Sequence, residues 1–154
     1  MAGPSRKMVA YCGLYCGDCF AYQGKIADLA RDLRKELRQA KFAITAEAMS
    51  GISFFSALKH YPECYDALGV MVKLRCKRTC RGGGGDPYCK IRTCARKKEL
   101  EGCWECDEFE TCKKMDFLRT NHGGAHLKNL RKIKRQGMKA FLEGKKHWAS
   151  NVGK

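Results

Sequence analysis

Cys12-Gly13-Leu14-Tyr15-Cys16-Gly17-Asp18-Cys19 is the stretch on which the reading of this chain turns. Cysteines two to four residues apart can reach one metal ion from a tight turn. Two such turns complete a tetrahedral site with Zn–S bonds of about 2.3 Å. The pattern returns further on as Cys76-Lys77-Arg78-Thr79-Cys80, then Cys89 and Cys94, then Cys103-Trp104-Glu105-Cys106, and finally Cys112. Glycines beside the ligands, at Gly13, Gly17 and Gly102, are expected to let the turns fold back on the ion. The candidate metal ligands are therefore Cys12, Cys16, Cys19, Cys76, Cys80, Cys89, Cys94, Cys103, Cys106 and Cys112. Ten thiols fill two four-thiolate sites and leave two over. His122 and His126 could complete a third site if that segment is helical and they share a face. Cys64 stands alone and is expected to pack as a small hydrophobic residue.

The chain has 154 residues, 11 of them Cys, and a formal charge of +15. No apolar run approaches the roughly 18 residues of a membrane span. Met1 to Cys12 lacks the apolar stretch of roughly 7–15 residues that a secretory signal needs. The expected location is the cytoplasm, where thiols stay reduced and structural disulfides are rare. An odd number of Cys also cannot all pair within one chain. Metal ligation is the natural reason for so many reduced thiols. Zinc is the expected metal, and iron–sulfur clusters use the same ligand. The Cys-x₃-Cys-x₂-Cys spacing at Cys12–Cys19 also occurs in radical S-adenosylmethionine enzymes. Those need a large α/β barrel, for which this chain is too short.

The predicted fold class is mainly α: one small helical domain over 1–154 with Cys-rich metal-binding loops. Within it, 1–20 holds the first Cys cluster and 21–75 is a helical spacer. Residues 76–112 form a second Cys-rich segment and 113–154 a basic helical segment. In the spacer, Ile26, Leu29, Ala30, Leu33 and Leu37 recur at helical spacing with charged residues opposite. Ala46–Ser50 suggests a second helix ended by Gly51, and Phe54, Phe55 and Leu58 a third short apolar face. Pro62 suits the first turn of a fourth helix, with Leu68, Met71, Val72 and Leu74 inward. Its Val70–Leu74 end is equally readable as a strand. Gly82–Gly85 reads as a loop, and no Gly-Lys-Ser/Thr follows to make it a phosphate loop. Leu127, Leu130, Ile133, Met138 and Phe141 form a last helical stripe, interrupted at Gly137.

Three stretches together carry a resemblance. They are Cys12-Gly-Leu-Tyr-Cys-Gly-Asp-Cys-Phe-Ala-Tyr22, Cys89-Lys-Ile-Arg-Thr-Cys94 and Gly102-Cys-Trp-Glu-Cys-Asp-Glu-Phe-Glu-Thr-Cys112. The sequence resembles the prokaryotic Cys-rich proteins known as domain of unknown function 3795, over the N-terminal cluster and residues 76–118. The resemblance implies a small cytoplasmic, zinc-finger-like protein and carries no reaction with it. Phe20 stands where members commonly have Pro, and Cys76–Cys80 has one more intervening residue than the usual pair.

Residues 113–154 hold 12 Lys+Arg against 2 acids, interleaved with aromatics. Cations meet phosphates and rings stack on bases, so nucleic acid is a candidate partner through this segment. Catalytic groupings are poor: there is no serine nucleophile motif, and Asp86 and Asp107 lack an obvious partner. Glu105, Asp107, Glu108 and Glu110 are expected to lie exposed opposite the basic segments. The reading is a zinc-binding structural or interaction module, more a binder than an enzyme. An iron–sulfur redox or sensor protein, and a thiol-based enzyme or metal chaperone, stay open as alternatives.

Overall fold

Short apolar stripes at helical spacing, broken by glycine and cysteine turns, give a mainly α chain. The computed structural model describes residues 4–149. Residues 1–3 of the first cluster segment and 150–154 of the basic segment lie outside the described residues. Among the described residues there are seven α-helices and no β-strand. They are α1 (Phe20–Gln23), α2 (Lys25–Gln39), α3 (Phe42–Met49), α4 (Tyr61–Lys73), α5 (Lys90–Lys97), α6 (Leu118–His122) and α7 (Ala125–Glu143). An isolated antiparallel bridge joins Val9 and Tyr15. No helix among the described residues is long and apolar enough to cross a membrane.

The chain divides into two compact units. The first joins the chain up to Tyr22 with everything from Cys76 onward; the second is Gln23–Arg75. All ten clustered cysteines belong to the first.

In the first unit the apolar residues form one core. Val9, Ala10, Leu14, Tyr15, Ile91, Trp104, Phe109, Met115, Leu118, Leu130, Ile133 and Phe141 are buried together with Cys12 and Cys103. Leu130, Ile133 and Phe141 are the inward stripe of α7, as their spacing predicts. Gly137 lies at φ +83°, outside helical geometry, and kinks the helix there. Gly13 has φ +82°, and a Cβ on it would meet the Leu130 side chain at 3.0 Å. Glycine is needed there both for the backbone and for the close approach of α7. Gly102 is different: its backbone is extended, and the Trp104 ring covers the space a side chain would fill.

The second unit is built on α2 against α4. Pro62 sits in the first turn of α4, and Val70–Leu74 continues that helix and its cap rather than forming a strand. The inward face of α2 departs from expectation. Ile26, Leu29 and Leu33 are 46, 60 and 48% exposed; of the expected stripe Ala30 is buried and Leu37 half-buried, and Ala27, outside the stripe, is buried as well. Leu68 and Val72 of α4 are half-buried, while Met71 and Leu74 are exposed. Periodicity tells which side chains share a face; it does not tell whether a neighbour covers that face. Cys64 is likewise exposed on α4 instead of packed in a core.

Candidate functional site

The two Cys-x₂-Cys stretches fold alike. Cys16–Asp18 and Cys103–Glu105 are each one turn of 3₁₀ helix. The Cys19 N–H donates to Cys16 O at 3.1 Å, and the Cys106 N–H to Cys103 O at 3.1 Å. In a 3₁₀ turn the side chains at i and i+3 eclipse, so both thiols of each pair leave the same side. This is the local reason why such spacing makes a two-pronged ligand.

Helix α5 then divides the remaining cysteines. Cys89 is its N-cap and Cys94 follows five residues later. At 3.6 residues per turn that offset is about 140° around the axis. The two thiols therefore face different ways, and they line different cavities. Cys12, Cys16, Cys19, Cys76, Cys80 and Cys89 line one cavity of about 240 Å³. Cys94, Cys103, Cys106 and Cys112 line a second of about 260 Å³. Ile91, buried on α5, contributes to both walls. The two sets are also joined by backbone, since the Cys103 N–H donates to Tyr11 O at 2.8 Å, one residue from Cys12.

The glycine loop is held by a buried guanidinium. Arg92 donates to Cys80 O at 3.2 Å, Gly84 O at 2.9 Å, Asp86 O at 2.7 Å and Pro87 O at 3.3 Å. It thereby ties Cys80 to the start of α5, where Cys89 sits. Arg81 does similar work on the other side, donating to Val9 O at 2.7 Å and Glu101 O at 2.8 Å. The Cys80 N–H points at Cys16 Sγ, 3.4 Å away, and links two of the pairs.

Burial disfavours a charged sulfur, and it dominates here. It pushes the Cys16 thiol up to about 11 and the Cys103 thiol up to about 12, with neighbouring thiols adding to both. Cys12 is raised further, again chiefly by burial. Cys80 is also raised, and the Arg92 charge opposes the effect. These sulfurs hold their protons at neutral pH unless a cation replaces them.

The described residues contain no group of three or more His, Cys, Asp and Glu side chains that could hold a metal ion as placed. The backbone brings six and four cysteines to two cavities, while the sulfurs stand around the walls instead of converging as tetrads. The ten thiols suit a soft or borderline cation, and Asp86 and His122 also line the six-thiol cavity and Glu108 the four-thiol one. Of the histidines, His122 lines the six-thiol cavity and its Nδ1–H donates to Trp148 O at 2.7 Å. His126 is 1% exposed, lines neither cavity, and its Nδ1 has no hydrogen-bond partner. The two do not share a helix, because α6 ends at His122 and Gly123–Gly124 separate it from α7.

Glu105, Asp107, Glu108 and Glu110 are exposed; Glu105 accepts from the Glu101 N–H, and the other three pair with basic residues. Glu108 pairs with Lys98, Glu110 with Arg131, and Asp107 with Lys134. Lys128, Arg135 and Lys139 remain exposed along α7.

The profile of one family, described as "Protein of unknown function (DUF3795)", matches residues 8–117. The chain belongs to that family. Neither curated proteins nor solved structures gave a match.

Proposed function

We propose that this member of the family is a zinc-binding protein whose thiolates form two separate centres. The observation that carries the reading is the partition of ten clustered cysteines around two cavities, six and four, with Cys64 alone elsewhere on α4. Cys12 and Cys103 are buried and the other eight half-buried, and thiols at that density are otherwise hard to account for in a small domain. Zinc would supply charge neutralisation and a cross-link between distant segments, and no chemistry beyond that is needed. In the four-thiol cavity Cys94, Cys103, Cys106 and Cys112 would hold it. The role is structural: the ions fasten loops that have little regular secondary structure of their own.

Elemental analysis of anaerobically purified full-length protein tests this reading, together with its visible spectrum. The expected result is zinc and a colourless protein. Iron with acid-labile sulfide and absorbance near about 400 nm would replace zinc by iron–sulfur clusters. Absence of any bound metal would leave the alternatives of a thiol-based enzyme or metal chaperone.

A second reading is contact with nucleic acid, favoured by the exposed Lys128, Arg135 and Lys139 along one helix. Three acids already engage part of the basic surface, so the contact would be weak. Filter binding to a single-stranded oligonucleotide across a salt series is expected to show affinity falling with salt, and a flat dependence would overturn it.

A further inference from the structure

The geometry points to a binuclear centre in the six-thiol cavity. Cys12, Cys16, Cys19, Cys76, Cys80 and Cys89 would hold two zinc ions there, with two of the six sulfurs shared between them. This inference rests on the zinc-thiolate reading above and fixes its stoichiometry.

A tetrahedral zinc ion takes four ligands. One ion in this cavity would use four of the six thiols. The other two would remain in the same cavity as neutral groups with no cation. Two ions need eight ligand positions; Asp86 and His122 also line the cavity, but Asp86 Oδ1 accepts from the Tyr88 N–H and His122 Nδ1–H donates to Trp148 O, and the six sulfurs alone supply eight positions when two bridge. The count then closes over the whole protein: six thiols hold two ions, four hold one, and none of the ten is left over.

The placement of the thiols agrees. They arrive as two pairs and two singles. The Cys16–Cys19 pair comes from one 3₁₀ turn and the Cys76–Cys80 pair from the segment leading to the glycine loop. The pairs are joined through the Cys80 N–H at Cys16 Sγ, 3.4 Å away. The singles are Cys12, buried in the core, and Cys89, at the N-cap of α5. Two pairs alone would complete one site; the two singles are what a second ion requires. All six line one cavity of about 240 Å³.

Charge does not oppose the second ion. One zinc with four thiolates carries a net −2, and two zincs with six thiolates carry the same. The buried Arg92 guanidinium bonds to Cys80 O, and Arg78 lines the cavity. Both offset that charge equally well in either case.

The test uses full-length protein produced with excess zinc and, in parallel, with cadmium-113. Native mass spectrometry and elemental analysis are expected to give about three zinc ions per chain. The cadmium protein is expected to show three resonances, two of them split by coupling to each other through shared sulfur. Cys94→Ser should remove the unsplit resonance and leave the coupled pair. If that variant does not fold, the wild-type spectrum decides alone. About two zinc ions per chain, with no cadmium–cadmium coupling, would overturn the binuclear centre and leave the zinc reading intact. Iron with sulfide, or no metal, would overturn the reading itself.

Discussion

The Asn129 side chain and the His147 backbone are bonded to each other twice. Asn129 Nδ2 donates to His147 O at 2.7 Å, and Asn129 Oδ1 accepts from the His147 N–H at 2.9 Å. The same Nδ2 donates to Gly13 O at 2.9 Å. One fully buried amide thus ties α7 to the chain leaving that helix and to the first cysteine turn. Truncation would leave two carbonyls and one N–H without partners. Asn129→Ala is expected to cost roughly 2–4 kcal/mol. Urea unfolding followed by tryptophan fluorescence measures it, since Trp104 and Trp148 both lie in this unit. A loss below about 0.5 kcal/mol would show that the carbonyls find other donors.

Arg92 sits at the next such junction. The residue is 6% exposed, and its guanidinium reaches four carbonyl oxygens at once. A lysine has one compact charge and cannot span them. Arg92→Lys is expected to destabilise the first unit by roughly 2–4 kcal/mol and, on the zinc reading proposed above, to weaken metal retention at the six-thiol cavity. Competition with a chromophoric chelator reads the second effect. Retention equal to wild type would mean that Cys80 and Cys89 are positioned without the clamp.

His126 gives the unit an acid-side weakness. It is buried, and burial lowers its pKa, with His122 and Arg119 adding repulsion. The folded protein therefore binds this proton less tightly than the unfolded chain does. Where the folded pKa lies below the unfolded value of about 6.5, stability is present above that pH and is lost as pH falls below it. The unfolding midpoint is expected to be lower at pH 5.5 than at pH 7.5. His126→Leu should shrink that difference, because the variant has no proton to take up there. An equal pH difference in both proteins would assign the effect to other groups.

Much of this architecture was readable from residue patterns. The helical periods at Ile26–Leu37 and Leu127–Phe141 gave real helices, Pro62 opened α4, and Gly82–Gly85 became a loop. The face of α2 was readable only in part: Ala30 of the stripe is buried, while Ile26, Leu29 and Leu33 are exposed and Ala27, outside the stripe, is buried beside it. The division of the cysteines was not readable. Cys89 and Cys94 look like neighbours in sequence, and only the helix between them turns one thiol to each cavity. Arg92 and Asn129 carried no signal at all. Each acts through backbone carbonyls, which any sequence provides, so its partners depend on the tertiary arrangement.

The two units should respond differently to removal of metal. In Gln23–Arg75 the buried apolar residues are Ala27, Ala30 and Ala46, and the unit holds none of the clustered cysteines. Its amides are expected to exchange faster than those of α7 around Leu130, which lies in the main core, because little apolar area is buried around them. A chelator should leave that exchange pattern in 23–75 unchanged. Residues 76–112 should lose protection, since their turns are short and their cross-links would be gone. Hydrogen exchange read by mass spectrometry, with and without chelator, compares the segments within one sample. Protection in 76–112 that survives complete metal removal would mean that Arg81, Arg92 and the core hold those turns without help from any ion.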